Sequence, residues 1–197
     1  MPTQFSTRLL TAMSLVAVSC TAAIAGTVPT EMDGLLNFHE VHPFLYRGGG
    51  PSETALRKLK DEKGVKTIID LRAPSEGKPK ASRTKDDDPV QPKEEKKIAE
   101  DLGMNYIEMT MDSHAPTKKQ VTTFIDEVEK AEKGGGPVYV HCAHGSDRTG
   151  CMVGIWRVTH DKWDYDKTYK EMLKYFFTPK FTNLSGAVKQ YAEESAH

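Results

Sequence analysis

Residues 141–150 read His-Cys-Ala-His-Gly-Ser-Asp-Arg-Thr-Gly, with Cys142 six positions before Arg148. The apolar run Pro137-Val138-Tyr139-Val140 leads in, and an amphipathic stretch from Cys151 to Thr159 leads out. That order predicts a strand, a tight loop and a helix start. A loop of this shape turns backbone N–H groups inward and forms a nest for an anion at a helix N-terminus. Arg148 adds a planar fork that matches two oxygens of a phosphate. Cys142, facing a helix N-terminus and a guanidinium, is expected to ionise below the ordinary thiol range. A thiolate held against a bound phosphate is the apparatus of covalent phosphoryl transfer.

Each loop residue has an expected part. Ala143, His144, Gly145, Ser146 and Asp147 supply inward N–H donors, and Gly145 permits a turn that a Cβ would hinder. His144 lies within the loop, where it could bind a second phosphate. Thr149 could donate its hydroxyl to the thiolate, or simply cap the following helix. His141 is expected to brace the loop by hydrogen bonding, pointing away from the pocket. A metal set of His141, Cys142, His144 and Cys151 is set aside for that reason, and because no separate ligand pair is evident. His39, His42 and His160 read as surface or packing residues. Nothing in the pattern calls for a cofactor.

With these residues in place, the chain resembles the cysteine-dependent tyrosine and dual-specificity phosphatases, whose signature is Cys-x5-Arg followed by Ser or Thr. It is most similar to the compact bacterial dual-specificity-like branch, related to inositol phosphate phosphatases. The likeness spans about residues 43–177. It takes in Leu45-Tyr46-Arg47-Gly48-Gly49 followed by a helix, and the strand Thr67 to Arg72. The resemblance implies a central mixed sheet flanked by helices, with the active loop at a strand's C-terminal end. It also implies a general acid aspartate in the loop Met111-Asp112-Ser113-His114, some 30 residues before the cysteine. Asp147 is the rival, since an Asp-Arg-Thr context resembles certain inositide phosphatases in which that aspartate is the acid. Asp112 is preferred. An arsenate reductase reading lacks the shuttling cysteine pair after the loop.

Residues 1–25 carry one charge, Arg8, before an apolar run to Ala25, and Ala23-Ile24-Ala25 forms a small-x-small cleavage site. This reads as a signal peptide, so the protein is expected to be exported, periplasmic or secreted. Lipidation at Cys20 is the weaker alternative, because the expected leucine before it is missing. Residues 26–43 read as a leader with one strand near 35–41, and 44–197 as the phosphatase domain. The remaining chain has no membrane-spanning stretch. The full sequence has 27 basic residues, Arg8 among them, against 28 acidic ones, so no basic excess argues for nucleic acid. After cleavage two cysteines remain, Cys142 and Cys151, and both are expected to be reduced.

Strands alternate with helices from residue 45 onward, which predicts an α/β fold. Helices are expected at 51–63, 92–102, 117–130, 151–159, 166–177 and 184–192. Strands are expected at 65–71, 104–109 and 137–140. Residues 73–91 hold four prolines with Pro92 and a run of charges, and read as a mobile loop. Its Lys78, Lys80, Arg83 and Lys85 could fold over a polyanion, although Asp86 to Asp88 neutralise much of that charge. The expected substrate is a phosphomonoester, with inositol polyphosphate slightly preferred to a phosphoprotein. A catalytically inactive phosphate-binding module is the reading from another class. Oligomeric state is left open.

Overall fold

In the computed structural model, residues 34–76 and 88–196 are described, together with Met1 and Met32. The expected signal peptide, Cys20, Lys80 and Arg83 lie outside the described residues.

Five short strands form one sheet: β1 (His39–His42), β2 (Leu45–Gly48), β3 (Thr67–Asp70), β4 (Asn105–Glu108) and β5 (Val138–His141). Their order is β1-β2-β5-β3-β4; β1 runs antiparallel to β2, and every other pairing is parallel. β5 therefore lies in the middle, bonded to β2 on one side and β3 on the other. Parallel partners need crossover helices, and these cover both faces. α1 (Glu53–Asp61) and α2 (Pro92–Asp101) lie on one face. α3 (Lys118–Lys130), α4 (Asp147–Thr159), α5 (Tyr165–Lys174) and α6 (Thr182–Ser195) build the other.

The helix starts follow local chemistry. The Ser52 hydroxyl accepts from Ala55 N–H at 3.1 Å to begin α1. Pro92 opens α2 at a position where its missing N–H costs nothing. Thr117 and Gln120 make the reciprocal capping box expected before α3. Asp164 caps α5 through Lys167 N–H.

Strand alternation sorts the core into two layers. Leu45, Ile69, Val138 and Val140 pack toward α3, α4 and α6. Tyr46, Ile68 and Tyr139 face α1 and α2, with Phe38 and Leu35 beneath them. The helix after the loop departs from its expected amphipathic form. It begins at Asp147, four residues before Cys151, and every residue from Thr149 to Val158 is buried. The sheet takes one side and α5 and α6 take the others, so it needs apolar residues all round. Gly154 lets α6 approach: a Cβ there would lie 3.1 Å from Val188. Among the described residues no helix is long and apolar enough to cross a membrane.

Candidate active site

The loop leaves the C-terminal end of the central strand, where open α/β sheets bind their ligands. The alternation that turns Val140 toward α4 turns His141 toward α2. There the buried imidazole donates from Nε2 to Glu95 Oε1 at 2.8 Å, and its Nδ1 lies 3.2 Å from the carbonyl of Cys142. Glu95 also pairs with Arg72. Arg72 forks onto Asp70 at 2.9 and 3.0 Å, and Tyr106 donates to Asp70 at 2.7 Å. Burial alone would push the His141 imidazole down, but Glu95 and Asp70 raise it above its ordinary value. An imidazolium can donate to both Glu95 and the Cys142 carbonyl, fixing the peptide that carries the cysteine. Asp70, Glu95 and His141 place possible ligand atoms within 4.8 Å of one another. Arg72 already bridges the two carboxylates in a fully buried space, so the counter-ion there is a guanidinium.

Cys142 is 2% exposed. Burial raises its thiol, but Arg148, the Thr149 hydroxyl, and the backbone N–H groups of Thr149 and His144 outweigh that and bring it below the ordinary value. Thr149 Oγ1 is buried with no hydrogen-bond partner among the described residues, close enough to Cys142 to favour its thiolate. Cys151, nine residues on, sits in the apolar core with its thiol 3.4 Å from the Leu184 carbonyl, and burial pushes it up to about 12. Both cysteines are free.

Arg148 is oriented from outside the loop. Glu76 grips its Nη1 and Nη2 at 2.7 and 2.6 Å, end-on. The carbonyls of Met111 and Leu71 accept from Nη1 at 3.3 and 3.4 Å. The side-on edge, Nε–H with the outer hydrogen of Nη2, is the second bidentate face of a guanidinium. That edge can take two phosphate oxygens while Glu76 keeps the other.

Gly145 has φ +73°, and a Cβ on it would sit 2.4 Å from the Gly48 carbonyl carbon. Both reasons require glycine. The run Gly48-Gly49-Gly50 is the matching surface: a Cβ on Gly49 would meet the Ala143 carbonyl at 2.9 Å, and Gly50 N–H donates to that carbonyl at 3.1 Å. Arg47 shares the parity of Leu45, so it lies beneath α4. Its Nη2 donates to the Gly145 carbonyl at 2.8 Å, and Asn37 Nδ2 donates to the same oxygen at 3.0 Å. With that carbonyl held outward, the adjoining amides face in. Arg47 is fully buried without a direct carboxylate partner among the described residues, and burial pushes it down to about 10.

The other expected residues are placed as follows. Ala143 is buried, Ser146 is the residue before α4, and His144 is exposed. Asp147 Oδ1 accepts from Thr178 N–H at 2.7 Å, tying the loop to the segment after α5. Asp112 follows the Met111 carbonyl that meets Arg148, but its carboxylate faces solvent. It binds His114 N–H at 2.7 Å and the His114 ring at 2.9 Å, and the backbone bond holds it below the ordinary value. Asn37, Arg47, Asp70, Arg72, Glu76 and Glu95 were not singled out by the sequence as site residues. Asp70 ends β3 and Arg72 follows two residues later, charges at the end of an otherwise apolar run, which is a usable signal. Glu95 sits in Pro92-Lys93-Glu94-Glu95-Lys96-Lys97 and looks like any solvated helix residue.

A five-stranded α/β sheet whose central strand delivers a cysteine, inward amides and an arginine to one loop defines the class of cysteine-based dual-specificity-like phosphatases. A family model described as DSP-PTPase phosphatase fused to NAD+ kinase matches residues 27–189, and the chain belongs to that family. It is similar to the dual specificity protein phosphatase TpbA of Pseudomonas aeruginosa, 26% identical over 144 residues, 72% of this chain and 55% of that protein. The chain thus spans little more than half the length of that relative. Among solved structures, the crystal structure of TpbA aligns with TM-score 0.61 at 19% identity, covering 82% of this chain and 92% of that one. PTPMT1 in complex with PI(5)P aligns at TM-score 0.62 and 16% identity, over 81% and 96%. The catalytic core of the PP-IP phosphatase SIW14 from Saccharomyces cerevisiae, in complex with citrate, aligns at 0.61 and 20%, over 87% and 91%. These likenesses establish the fold.

Proposed function

We propose that this chain is an exported phosphomonoester phosphatase that works through a phosphocysteine, with inositol polyphosphates preferred. The observation that carries the reading is the convergence on Cys142 of Arg148, the Thr149 hydroxyl and inward backbone amides, all of which favour its thiolate. The thiolate attacks phosphorus as the bond to the leaving oxygen breaks. The side-on edge of Arg148 and the loop amides hold the equatorial oxygens, where positioning and electrostatics supply most of the rate. Asp112 gives its proton to the leaving oxygen and then takes one from the water that cleaves the S–P bond, releasing phosphate and the thiolate. Two observations support Asp112 over Asp147: its loop touches Arg148 through Met111, and Asp147 is engaged by Thr178. For the transfer, Asp112 must leave His114 and turn inward.

Export rests on the reading of residues 1–25. A polyanionic substrate is supported by cations beside the loop. Arg47 and Lys174 lie near His39, whose imidazole is pushed down to about 4 first by burial and then by these two cations. The SIW14 and PTPMT1 likenesses agree with it. Phosphotyrosine peptide is the second reading. Phe176, 73% exposed at φ +65°, sits on a turn tied to the loop by Asn37 to the Tyr175 carbonyl and by Asp147 to Thr178, where it could meet an aryl ring. A structure of TpbA holds phosphotyrosine.

Phosphate release from p-nitrophenyl phosphate, a phosphotyrosine peptide and inositol hexakisphosphate, under reducing conditions, tests the reading. Activity is expected to vanish in Cys142→Ser, with kcat/KM highest on the inositol phosphate. A higher value on the peptide would move the substrate to the second reading. No turnover by folded, reduced protein would leave a phosphate-binding module.

A further inference from the structure

At the far end of α4 from the phosphate loop, about 20 Å away at 1.5 Å per residue, two histidines and an aspartate meet. His42 closes β1 and His160 caps the C-terminus of α4, with Asp161 next to it. His42 Nε2 lies 3.1 and 3.0 Å from the two carboxylate oxygens of Asp161, and His160 Nδ1 lies 3.0 Å from Oδ1. The three ligand atoms fall within 4.8 Å of one another; His42 and Asp161 are partly buried and His160 is exposed.

We propose that His42, His160 and Asp161 form a site for a divalent transition metal of the zinc type, with the fourth position open to solvent. Two imidazole nitrogens and one carboxylate oxygen suit such an ion. Four ligands at about 2.0–2.1 Å in a tetrahedron stand about 3.3 Å apart; both imidazole nitrogens are already near that spacing from Oδ1, and the two rings, with centroids 6.3 Å apart, must swing toward each other to close on an ion.

The surroundings are those of a supported metal site. His160 Nε2 faces Glu132 Oε2 at 3.0 Å, which would fix the imidazole with Nδ1 free for the metal. The His160 ring stacks on Trp156 at 4.0 Å and the His42 ring on Phe44 at 4.9 Å, so both orientations are held. Arg157 is the competing cation. Its Nη1 lies 2.7 Å from Asp161 Oδ2 and 3.4 Å from His42 Nε2, and its Nε and Nη2 are committed to Glu171 at 3.0 Å each. Its shorter contact is thus to Oδ2, the oxygen that the metal does not need, and an ion would have to displace only the longer contact to His42 Nε2. Here the contrast with Arg72 is instructive, because Arg72 bridges both carboxylates of a closed space. Charge also balances. Glu132, Asp161 and Glu171 carry three negative charges against Arg157, and the C-terminal dipole of α4 adds to the deficit. One dication with neutral imidazoles supplies what is missing. A filled site would tie the turn between β1 and β2 to the end of α4.

Zinc titration of the full chain carrying Cys142→Ser, which removes the thiol as a competing ligand, tests the site independently of phosphatase activity. Calorimetry is expected to show one equivalent of Zn2+ bound and a higher thermal midpoint. Both should be lost in His160→Ala and in His42→Ala, and affinity should fall roughly 10–100-fold in Glu132→Gln. Co2+ should give the visible absorption of a four-coordinate nitrogen and oxygen site, which reports on the chain even if an alanine variant fails to fold. Folded protein that takes up no zinc and gives no such cobalt band would overturn the proposal. So would uptake that persists unchanged when both histidines are replaced, since the metal would then sit elsewhere.

Discussion

Cys142 and Cys151 are nine residues apart and both buried, yet their chemistry differs because of what surrounds the sulfur. Cys142 has a guanidinium, a hydroxyl and amide dipoles; Cys151 has one carbonyl and apolar neighbours. Iodoacetamide followed by peptide mapping is expected to label Cys142 with a pH midpoint below the ordinary thiol value of about 8.5, and to leave Cys151 untouched. Arg148→Lys and Thr149→Ala should each move that midpoint up. Labelling of Cys151 in folded protein would contradict the assignment. Arg47 gives a second residue-scale test. It is a buried cation whose hydrogen bond goes to the Gly145 carbonyl rather than to a carboxylate. Arg47→Met removes the desolvated charge and keeps the volume, so stability should change by less than about 1.5 kcal/mol. Activity should fall more than tenfold as the Gly145 peptide loosens. Equal losses of both would mean Arg47 only packs.

Between elements, the loop is held by contacts that its own sequence does not contain. β2 supplies Arg47 and the glycine surface, α2 supplies Glu95, and the segment after β3 supplies Glu76. Gly145→Ala forces a Cβ into the Gly48 backbone at a positive φ. It is expected to cost at least about 1–3 kcal/mol and to abolish turnover. Glu95→Gln removes one partner of a buried pair and should cost about 3–5 kcal/mol. The pH sign follows from His141. Its folded value is raised above 6.5, so its contribution is fully present below that pH and is lost as pH rises through the raised value. Urea unfolding of the intact protein should therefore weaken on the alkaline side, and Glu95→Gln should bring that decline to lower pH. An unchanged profile would show that His141 is neutral in the fold. That these braces escaped a reading of the sequence has a plain cause. Glu95 is one of several charges in a helix whose burial depends on where the sheet lies, and Arg47 stood in a glycine-rich turn whose parity was unknown until β2 was paired. The all-round burial of α4 was hidden likewise, since a single helix does not reveal that α5 and α6 will cover its outer face.

On the scale of the whole molecule, catalysis requires the Asp112 loop and the phosphate loop to meet. With a poor leaving group, Asp112→Asn should lower kcat at least tenfold and remove the alkaline limb of the pH profile, while Asp147→Asn changes it less. The reverse order would pass the acid role to Asp147. The local sequence determined the strand, the turn and the helix start that put Cys142 and Arg148 on one anion nest, because those ten residues contact one another whatever the remainder does. It determined the alternation of strands and helices for the same reason, since capping and periodicity are near-neighbour effects. Only the tertiary structure decided which distant charges answer that loop. Glu76, Glu95 and Arg47 lie 53 to 101 residues from Arg148 along the chain, and their pairing depends on β5 entering the sheet between β2 and β3. Burial, which acts on Cys142, His141 and Arg47, exists only once the layers have closed.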